Sequence, residues 1–233
     1  MLISIIIPTL NEEQALARLL PYLKADPSFV LVKEVIVVDA LSKDATTNIA
    51  HQHQVQTIVS KKRSRAYQMN LGAGHASGSI LYFLHADTFP PTDFAQKIWD
   101  GYRSQAYAGC FRLRFDWNHW FLKANSWFTR FSSKLFRFGD QSLYIDRQLF
   151  INLQGFNEQL KLFEDQDLIK RVLHNTRFTI IPRYVITSAR KYRDNGAFRL
   201  QLVYFVVYLC YILGFSQPAL FRIYLRLVPH PRV

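Results

Sequence analysis

Ile80-Leu81-Tyr82-Phe83-Leu84-His85-Ala86-Asp87-Thr88 reads as an apolar strand, Ile80 to Leu84, that delivers an imidazole and then a carboxylate to its end. In open α/β sheets, ligands collect beyond the carboxyl ends of the strands. Divalent cations that hold phosphates take carboxylate oxygen first, and imidazole suits the softer ions among them. A strand that ends in a polar turn for structural reasons would look the same, so the meaning of the stretch depends on its surroundings.

What precedes it alternates strand and helix. Leu2 to Ile7 is a buried strand that stops at Pro8. Asn11 is placed as an N-cap, with Glu12 and Glu13 in the first turn and Gln14 completing a capping-box-like pattern. Ala15, Leu16, Leu19 and Leu20 give that helix its apolar face. Glu34 to Val38 is the next strand and ends at Asp39; helix signals run from Asp44 to about Gln54. Strand Val55 to Val59, a helix from about Arg65 to Ala76 and the strand at Ile80 follow. Such a βαβαβαβ series predicts an α/β fold, with a largely parallel sheet covered by helices on both faces. After Pro90-Pro91 the pattern loosens into longer helices and isolated strands. The expected organisation is a nucleotide-binding half (1–90), an acceptor half (91–195) and a helical tail (196–233).

Apolar residues make up 49% of the 233, enough for a substantial core. Cys110 and Cys210 lie in apolar surroundings without metal-ligand spacing, which suits a reducing compartment. The start, Met1-Leu2-Ile3-Ser4-Ile5, lacks the basic region and cleavage site of a signal peptide and reads as a first strand. The expected location is cytoplasmic, peripheral at the cytosolic face of the cell membrane.

A formal net charge of +12 calls for an anionic partner: nucleic acid, anionic lipid or a phosphate-bearing substrate. Position helps to choose. From Phe111 to Phe138 there are ten aromatic residues, six Lys or Arg and one acid, Asp116. Trp117, Trp120, Phe121, Ala124, Trp127 and Phe128 begin a helical apolar stripe that runs on to Phe138, with Lys123, Arg130, Lys134 and Arg137 on the other faces. Such a helix either lies in a lipid headgroup layer or packs on its own domain. Leu202 to Leu213 is a second apolar run, twelve residues long and flanked by Arg190, Lys191, Arg193, Arg199, Arg222 and Arg226. Roughly 18 to 20 residues are needed to span a bilayer, so it is a core helix, a re-entrant segment or an interfacial one. The basic flanks favour attachment to an anionic membrane surface, without spanning.

Three strand ends thus carry polar residues to one sheet edge: Pro8-Thr9-Leu10-Asn11-Glu12, Asp39 with Asp44, and His85-Ala86-Asp87. A fourth acidic site, Glu164-Asp165 with Asp167, follows Phe163 at a helix start. In order and spacing the chain resembles glycosyltransferase family 2, the inverting nucleotide-sugar transferases of the GT-A fold, over about residues 2 to 190. The resemblance rests on Ile5-Ile6-Ile7-Pro8-Thr9-Leu10-Asn11-Glu12, the Val-Val-Asp-x-x-Ser-x-Asp-x-Thr block from Val37 to Thr46, the Asp-x-Asp variant at 85–87, and Glu164-Asp165. Arg65 to Ala73, Gly139-Asp140-Gln141 and Thr187-Ser188-Ala189-Arg190 are similar to a narrower group, short bacterial members labelled arsenosugar-biosynthesis or radical-SAM/selenodomain-associated glycosyltransferases.

That resemblance implies Pro8, Thr9 and Glu12 around the nucleoside of a nucleotide-sugar donor, a UDP-sugar above all. It implies Asp39 as acceptor of a hydrogen bond from the base, where a mismatch leaves a buried polar group unpaired. Arg65 is implied near the donor's phosphates or sugar, Arg190 near the diphosphate from the acceptor half, where its basic neighbours equally suit a surface strip, and Asp87 as ligand of Mn²⁺ or Mg²⁺. Arg65 is equally an exposed cation in the basic run Lys61-Lys62-Arg63. His85 stands where the family more often has Asp; it ligates the metal, contacts the sugar or bonds the sheet edge. Ala40 and Leu41 replace the usual Gly or Asp. Asp165 is implied as the base that takes a proton from the acceptor alcohol, with Glu164 as substitute or acceptor-positioning residue. Asp167 reads as helix-start charge. Asp140 and Gln141 line the acceptor side or form a tight turn. The acceptor is a lipid-linked or a small soluble alcohol, and no nucleic-acid partner is expected.

Other chemistries fit less well. Gly72, Gly74 and Gly78 are spaced one residue too long for a dinucleotide fingerprint and come late in a helix. No phosphate loop, zinc-protease helix or nucleophile elbow is present. A nucleotidyltransferase would need a Gly-rich loop where this chain has Pro8-Thr9-Leu10-Asn11-Glu12. A non-catalytic, basic membrane- or RNA-binding module would leave Asp87 and Asp165 without a purpose.

Overall fold

A computed structural model gives the fold for residues 2–130 and 142–230, the residues described below. In chain order the elements are β1 (Ile3–Thr9), α1 (Glu13–Lys24), β2 (Val32–Asp39), α2 (Thr46–Gln52), β3 (Gln56–Val59), α3 (Arg65–His75) and β4 (Ile80–Phe83). They continue with β5 (Thr88–Phe89), α4 (Phe94–Arg103), β6 (Ala108–Phe115), α5 (Trp120–Trp127), β7 (Leu143–Asp146), α6 (Arg147–Asn152) and α7 (Glu164–Asn175). The last are β8 (Phe178–Thr187), α8 (Arg190–Asn195), α9 (Ala197–Ile212) and α10 (Gln217–Leu227).

One mixed sheet of eight strands, ordered β3-β2-β1-β4-β7-β6-β8-β5, runs through the molecule. β3, β2, β1 and β4 are parallel, as the alternating sequence predicts, and β6 and β8 also pair in parallel. β7 inserts antiparallel between β4 and β6. The strands after Pro91 are therefore not isolated; they extend the same sheet, through pairings too distant in sequence for periodicity to show.

Side chains alternate across each strand, and both faces are covered. Ile5, Ile7, Val35 and Val37 pack under α1 and α4, whereas Ile6, Ile36 and Val38 pack under α3 and α7. Each fully buried Ile or Leu contributes about 1.5–3 kcal/mol. Gly72 lets α3 approach the sheet, since a Cβ there would lie 2.6 Å from Ile6 Cγ2 and 2.9 Å from Val38 Cγ2. A third core, built from α5, α8, α9 and α10, holds Leu122, Leu200, Val203, Val207 and Leu220.

Local expectations needed two corrections. β1 runs through Pro8 to Thr9, with Pro8 in register with Val38. Asn11 is not the N-cap of α1: it takes a left-handed φ of 53°, and Glu12 occupies the cap position without a side-chain capping bond. The caps come instead from the next loop, where Thr46 Oγ1 accepts from Glu12 N at 2.9 Å and Asp44 Oδ2 accepts from Glu13 N at 3.1 Å. Of the aromatic-basic helix expected to Phe138, α5 and a 3-10 turn to Arg130 are seen; the rest lies outside the described residues.

Asp44 also accepts from Thr46 N at 3.0 Å, so one carboxylate serves the starts of α1 and α2. Burial pushes its pKa up, but hydrogen bonds from the Thr46 hydroxyl and the surrounding backbone N–H groups outweigh that and hold it below the ordinary carboxyl value. Asp44→Ala is expected to destabilise the fold by about 1–3 kcal/mol, read as a melting temperature roughly 3–10 °C lower at neutral pH. A depressed folded pKa gives stability that is full above the unfolded value and lost as pH falls through the folded one. The gap between wild type and variant should therefore close in acid; a constant gap would show that the charge is irrelevant.

Candidate active site

The C-terminal ends of β1 and β2 lie side by side, with Thr9 in register with Asp39. Asp39 is 1% exposed and accepts from Thr9 Oγ1 at 3.0 Å, from Ser42 N at 2.8 Å and from the Ser42 hydroxyl. Its first task is thus to fasten the turn beyond β2, and Oδ2 receives a single bond there. Asn11 ties the two loops together: its N–H donates to Ser42 Oγ at 2.8 Å and its Oδ1 accepts from Lys43 N at 2.8 Å. Leu41 takes a left-handed φ of 60° with its side chain exposed. The turn keeps the shape that a glycine would give it, at a strain of about 1–3 kcal/mol. Gln68 of α3 supports the same edge, donating to Thr9 O at 2.9 Å and Val38 O at 2.7 Å.

β4 ends at Phe83, so Leu84, His85, Ala86 and Asp87 form the turn into β5. β5 pairs with the far end of β8, and this pairing brings residues 187–190 onto Asp87. Thr88 Oγ1 lies 2.8 Å from Thr187 Oγ1, and Ser188 N donates to Asp87 O at 3.2 Å. Arg190 Nη2 then stands 3.6 Å from Asp87 Oδ2 and donates to Glu12 Oε1. Glu12 Oε2 is buried without a hydrogen-bond partner.

The remaining acids sit at the start of α7. Phe163 takes a left-handed φ of 68°, rare for a bulky residue, and turns the chain so that Glu164 and Asp165 open the helix. Their environments differ. Glu164 is 4% exposed, with Oε1 3.5 Å from Arg65 Nη1. Asp165 is half-buried and stands on the wall of a small, mostly apolar cleft of about 10 Å³, with Pro8, His85 and Ser142 beside Met69, Phe83 and Ile169. Asp167 turns away to Arg171, with bonds of 3.0 Å to Nε and 2.6 Å to Nη2. Asp140 and Gln141 lie outside the described residues; Ser142, which follows them, accepts a hydrogen bond from the Tyr82 hydroxyl at 3.1 Å.

The arrangement gathers Pro8, His85 and Asp165 around one cleft, Glu12, Asp87 and Arg190 in one ionic cluster, and Arg65 with Glu164. The sequence assigns no role to Gln68 or Ser142, and it offers Ser42 and Phe163 only as part of a motif and as the residue before a helix start. Gln68 left a signal, a polar side chain on the face of α3 that also carries Met69 and Gly72, both buried. The others take their places from tertiary contacts.

Among the described residues no three His, Cys, Asp or Glu side chains gather as a metal cage. Mg²⁺ and its like are commonly held by one or two carboxylates plus substrate phosphates. Asp87, with the unpartnered Glu12 oxygen near it through Arg190, fits an ion that arrives with a diphosphate and does not fit a resident one.

Comparison with known proteins agrees with this fold. The family model described as glycosyl transferase family 2 matches residues 4–170. A Methanococcus voltae relative, dolichyl N-acetyl-alpha-D-glucosaminyl phosphate 3-beta-D-2,3-diacetamido-2,3-dideoxy-beta-D-glucuronosyltransferase, is 27% identical over 108 residues. That match covers 43% of this chain and only 34% of the relative. Among solved structures, the mannosyltransferase PcManGT from Pyrobaculum calidifontis, in complex with GDP-Man and Mn²⁺, superposes with a TM-score of 0.70 at 18% identity, over 97% of this chain and 68% of that one. S. aureus TarS 1-349 in complex with UDP-GlcNAc gives 0.66 at 16% identity, over 97% and 71%. Glucosyl-3-phosphoglycerate synthase from Mycobacterium tuberculosis, with Mn²⁺, UDP and glucosyl-3-phosphoglycerate, gives 0.58 at 17%, over 78% and 70%. At these identities the structures share the fold.

Proposed function

Since this chain belongs to glycosyltransferase family 2 and is a glycosyltransferase, we propose that it moves a sugar from a UDP-sugar to an acceptor alcohol by a single, inverting displacement. The carrying observation is that Asp165 shares a cleft with Pro8 and His85, beside the turn that holds Asp87. Asp165 takes the proton of the acceptor hydroxyl as its oxygen bonds to the anomeric carbon. The bond from that carbon to the phosphate oxygen breaks on the opposite face, and the nucleoside diphosphate leaves with the electron pair. Pro8, Thr9 and Asp39 form the nucleoside side of the pocket. Arg190 and Arg65 are the cations suited to the diphosphate oxygens. Asp87, with His85 as a further donor, would hold Mn²⁺ or Mg²⁺, which when bound offsets the charge of the leaving diphosphate. Glu164, buried against Arg65, positions and does not take the proton.

The TarS complex with UDP-GlcNAc and the synthase complex with UDP and Mn²⁺ support a uridine donor and a divalent metal. The complex of PcManGT with GDP-Man makes guanosine the competitor. The Methanococcus voltae relative, named as acting on a dolichyl-linked sugar phosphate, supports a lipid-linked acceptor. We place the reaction at the cytosolic face of a membrane, in keeping with a net charge of +12.

A screen of nucleotide-sugars with Mn²⁺ should find one UDP-sugar that raises the melting temperature and turns over to UDP and an inverted glycoside. Release of pyrophosphate, or retention at the anomeric carbon, would overturn the reading.

A further inference from the structure

Apart from Arg199 and Gln201 near its start, α9 is apolar on all sides. Its inner face, Leu200, Val203 and Val207, is buried in the third core. On the opposite face Phe198, Leu202, Phe205, Leu209 and Ile212 follow one another at spacings of three and four residues, and all are exposed; Leu202 is 63% and Ile212 60% accessible. Trp120 of α5, 69% accessible, packs against Phe198 with ring centroids 5.7 Å apart, so two helices build one apolar face. A helix apolar all round belongs in a core or against lipid, and a patch of this kind marks an interaction surface.

We propose that this face docks on an anionic bilayer, with α9 lying along the headgroup boundary and the catalytic cleft held where lipid-borne alcohols are presented. The statement about the acceptor rests on the transferase reading above; the docking stands on the surface itself. Charge selects the occupant. Ala197 to Leu227 contains no Asp or Glu, while Arg199, Arg222 and Arg226 are exposed. Trp117 to Arg130 is likewise free of acids, with Lys123 exposed. A second copy on the same face would set like charges against each other, whereas anionic lipid neutralises them.

Length sets the geometry. Sixteen helical residues span about 24 Å, short of the roughly 30 Å hydrocarbon layer. Among the described residues no helix is long and apolar enough to cross a membrane. An apolar face with basic flanks and Trp at its edge lies in the interface plane. The same helix supports the catalytic edge. Tyr208 and Tyr211 pack on Phe163, with centroids 5.7 and 4.8 Å apart, and Phe163 sets the start of α7. Arg190, beside Asp87, opens α8, and the five further residues of that helix and Gly196 join it to α9. A platform resting on lipid would thus hold the cleft close above it.

The test is co-sedimentation of the whole chain with vesicles of phosphatidylcholine alone and with added phosphatidylglycerol. Binding is expected to the anionic vesicles, weakened by salt. Phe205→Glu with Leu209→Glu should weaken it about a hundredfold or more. Arg222→Gln with Arg226→Gln should weaken it on the order of tenfold. Unchanged melting temperature and unchanged stabilisation by nucleotide-sugar would show that the variants fold. Equal binding to neutral vesicles, or full binding by the Glu variant, overturns the proposal. So does light scattering that shows a dimer which the Glu variant dissociates. Vesicle binding without any nucleotide-sugar response would refute the transferase reading and uphold the docking surface.

Discussion

Asp165→Asn should lower turnover by about 10²–10⁴-fold while leaving donor affinity within about twofold of the wild type. The substitution keeps shape and removes the basic oxygen, so it separates proton removal from positioning. In the proposed reaction Asp165 is the acid for that work, being half-buried on the cleft wall with Pro8 and His85. Its neighbour Glu164 is almost completely buried and faces the Arg65 guanidinium at 3.5 Å. A carboxylate so placed has no path to an incoming alcohol. Steady-state turnover at saturating donor and acceptor, beside donor titration, measures both quantities. Wild-type turnover in Asp165→Asn would remove this residue from the mechanism. A large loss of donor affinity would make it a binding residue instead.

For Asp87→Ala the expected loss is in binding. A ligand at a hundred times its dissociation constant stabilises a fold by about 2.7 kcal/mol, or roughly 5–10 °C for a chain of this size. In the wild type most of that gain should require Mn²⁺ or Mg²⁺. In Asp87→Ala the metal-dependent part should disappear and any metal-independent part should persist. The variant also leaves Arg190 with Glu12 as its remaining acid in that cluster. Donor-induced melting shifts with and without metal read this directly. An undiminished metal-linked shift would dismiss Asp87 as a ligand.

The first ninety residues were legible because their signals are local. Apolar runs of four to eight residues, with Asp39 at the end of one and helix patterns between them, set the parallel half of the sheet; the structure shifts each strand boundary by no more than two residues and leaves Asp87 four residues beyond the end of β4. Spacing excludes Gly72 from a dinucleotide fingerprint, and the structure shows what it does instead. The N-terminus of α1 was misread because its caps, Asp44 and Thr46, come from more than thirty residues away. Nothing in a capping-box pattern registers a partner across a loop.

The second half followed a different logic. β7 lies between β4 and β6, and β5 is held by β8, about a hundred residues away. The Glu12–Arg190 contact joins residues 178 apart. Sequence order alone determined that carboxylates would stand at strand and helix ends, because a strand's direction and a helix's first turn are written in neighbouring residues. Which of those acids meet was decided by the packing of distant strands. Asp165 faces the cleft and Glu164 does not because Phe163 turns the backbone and α9 holds it there, a balance of long-range contacts that no short window of sequence contains.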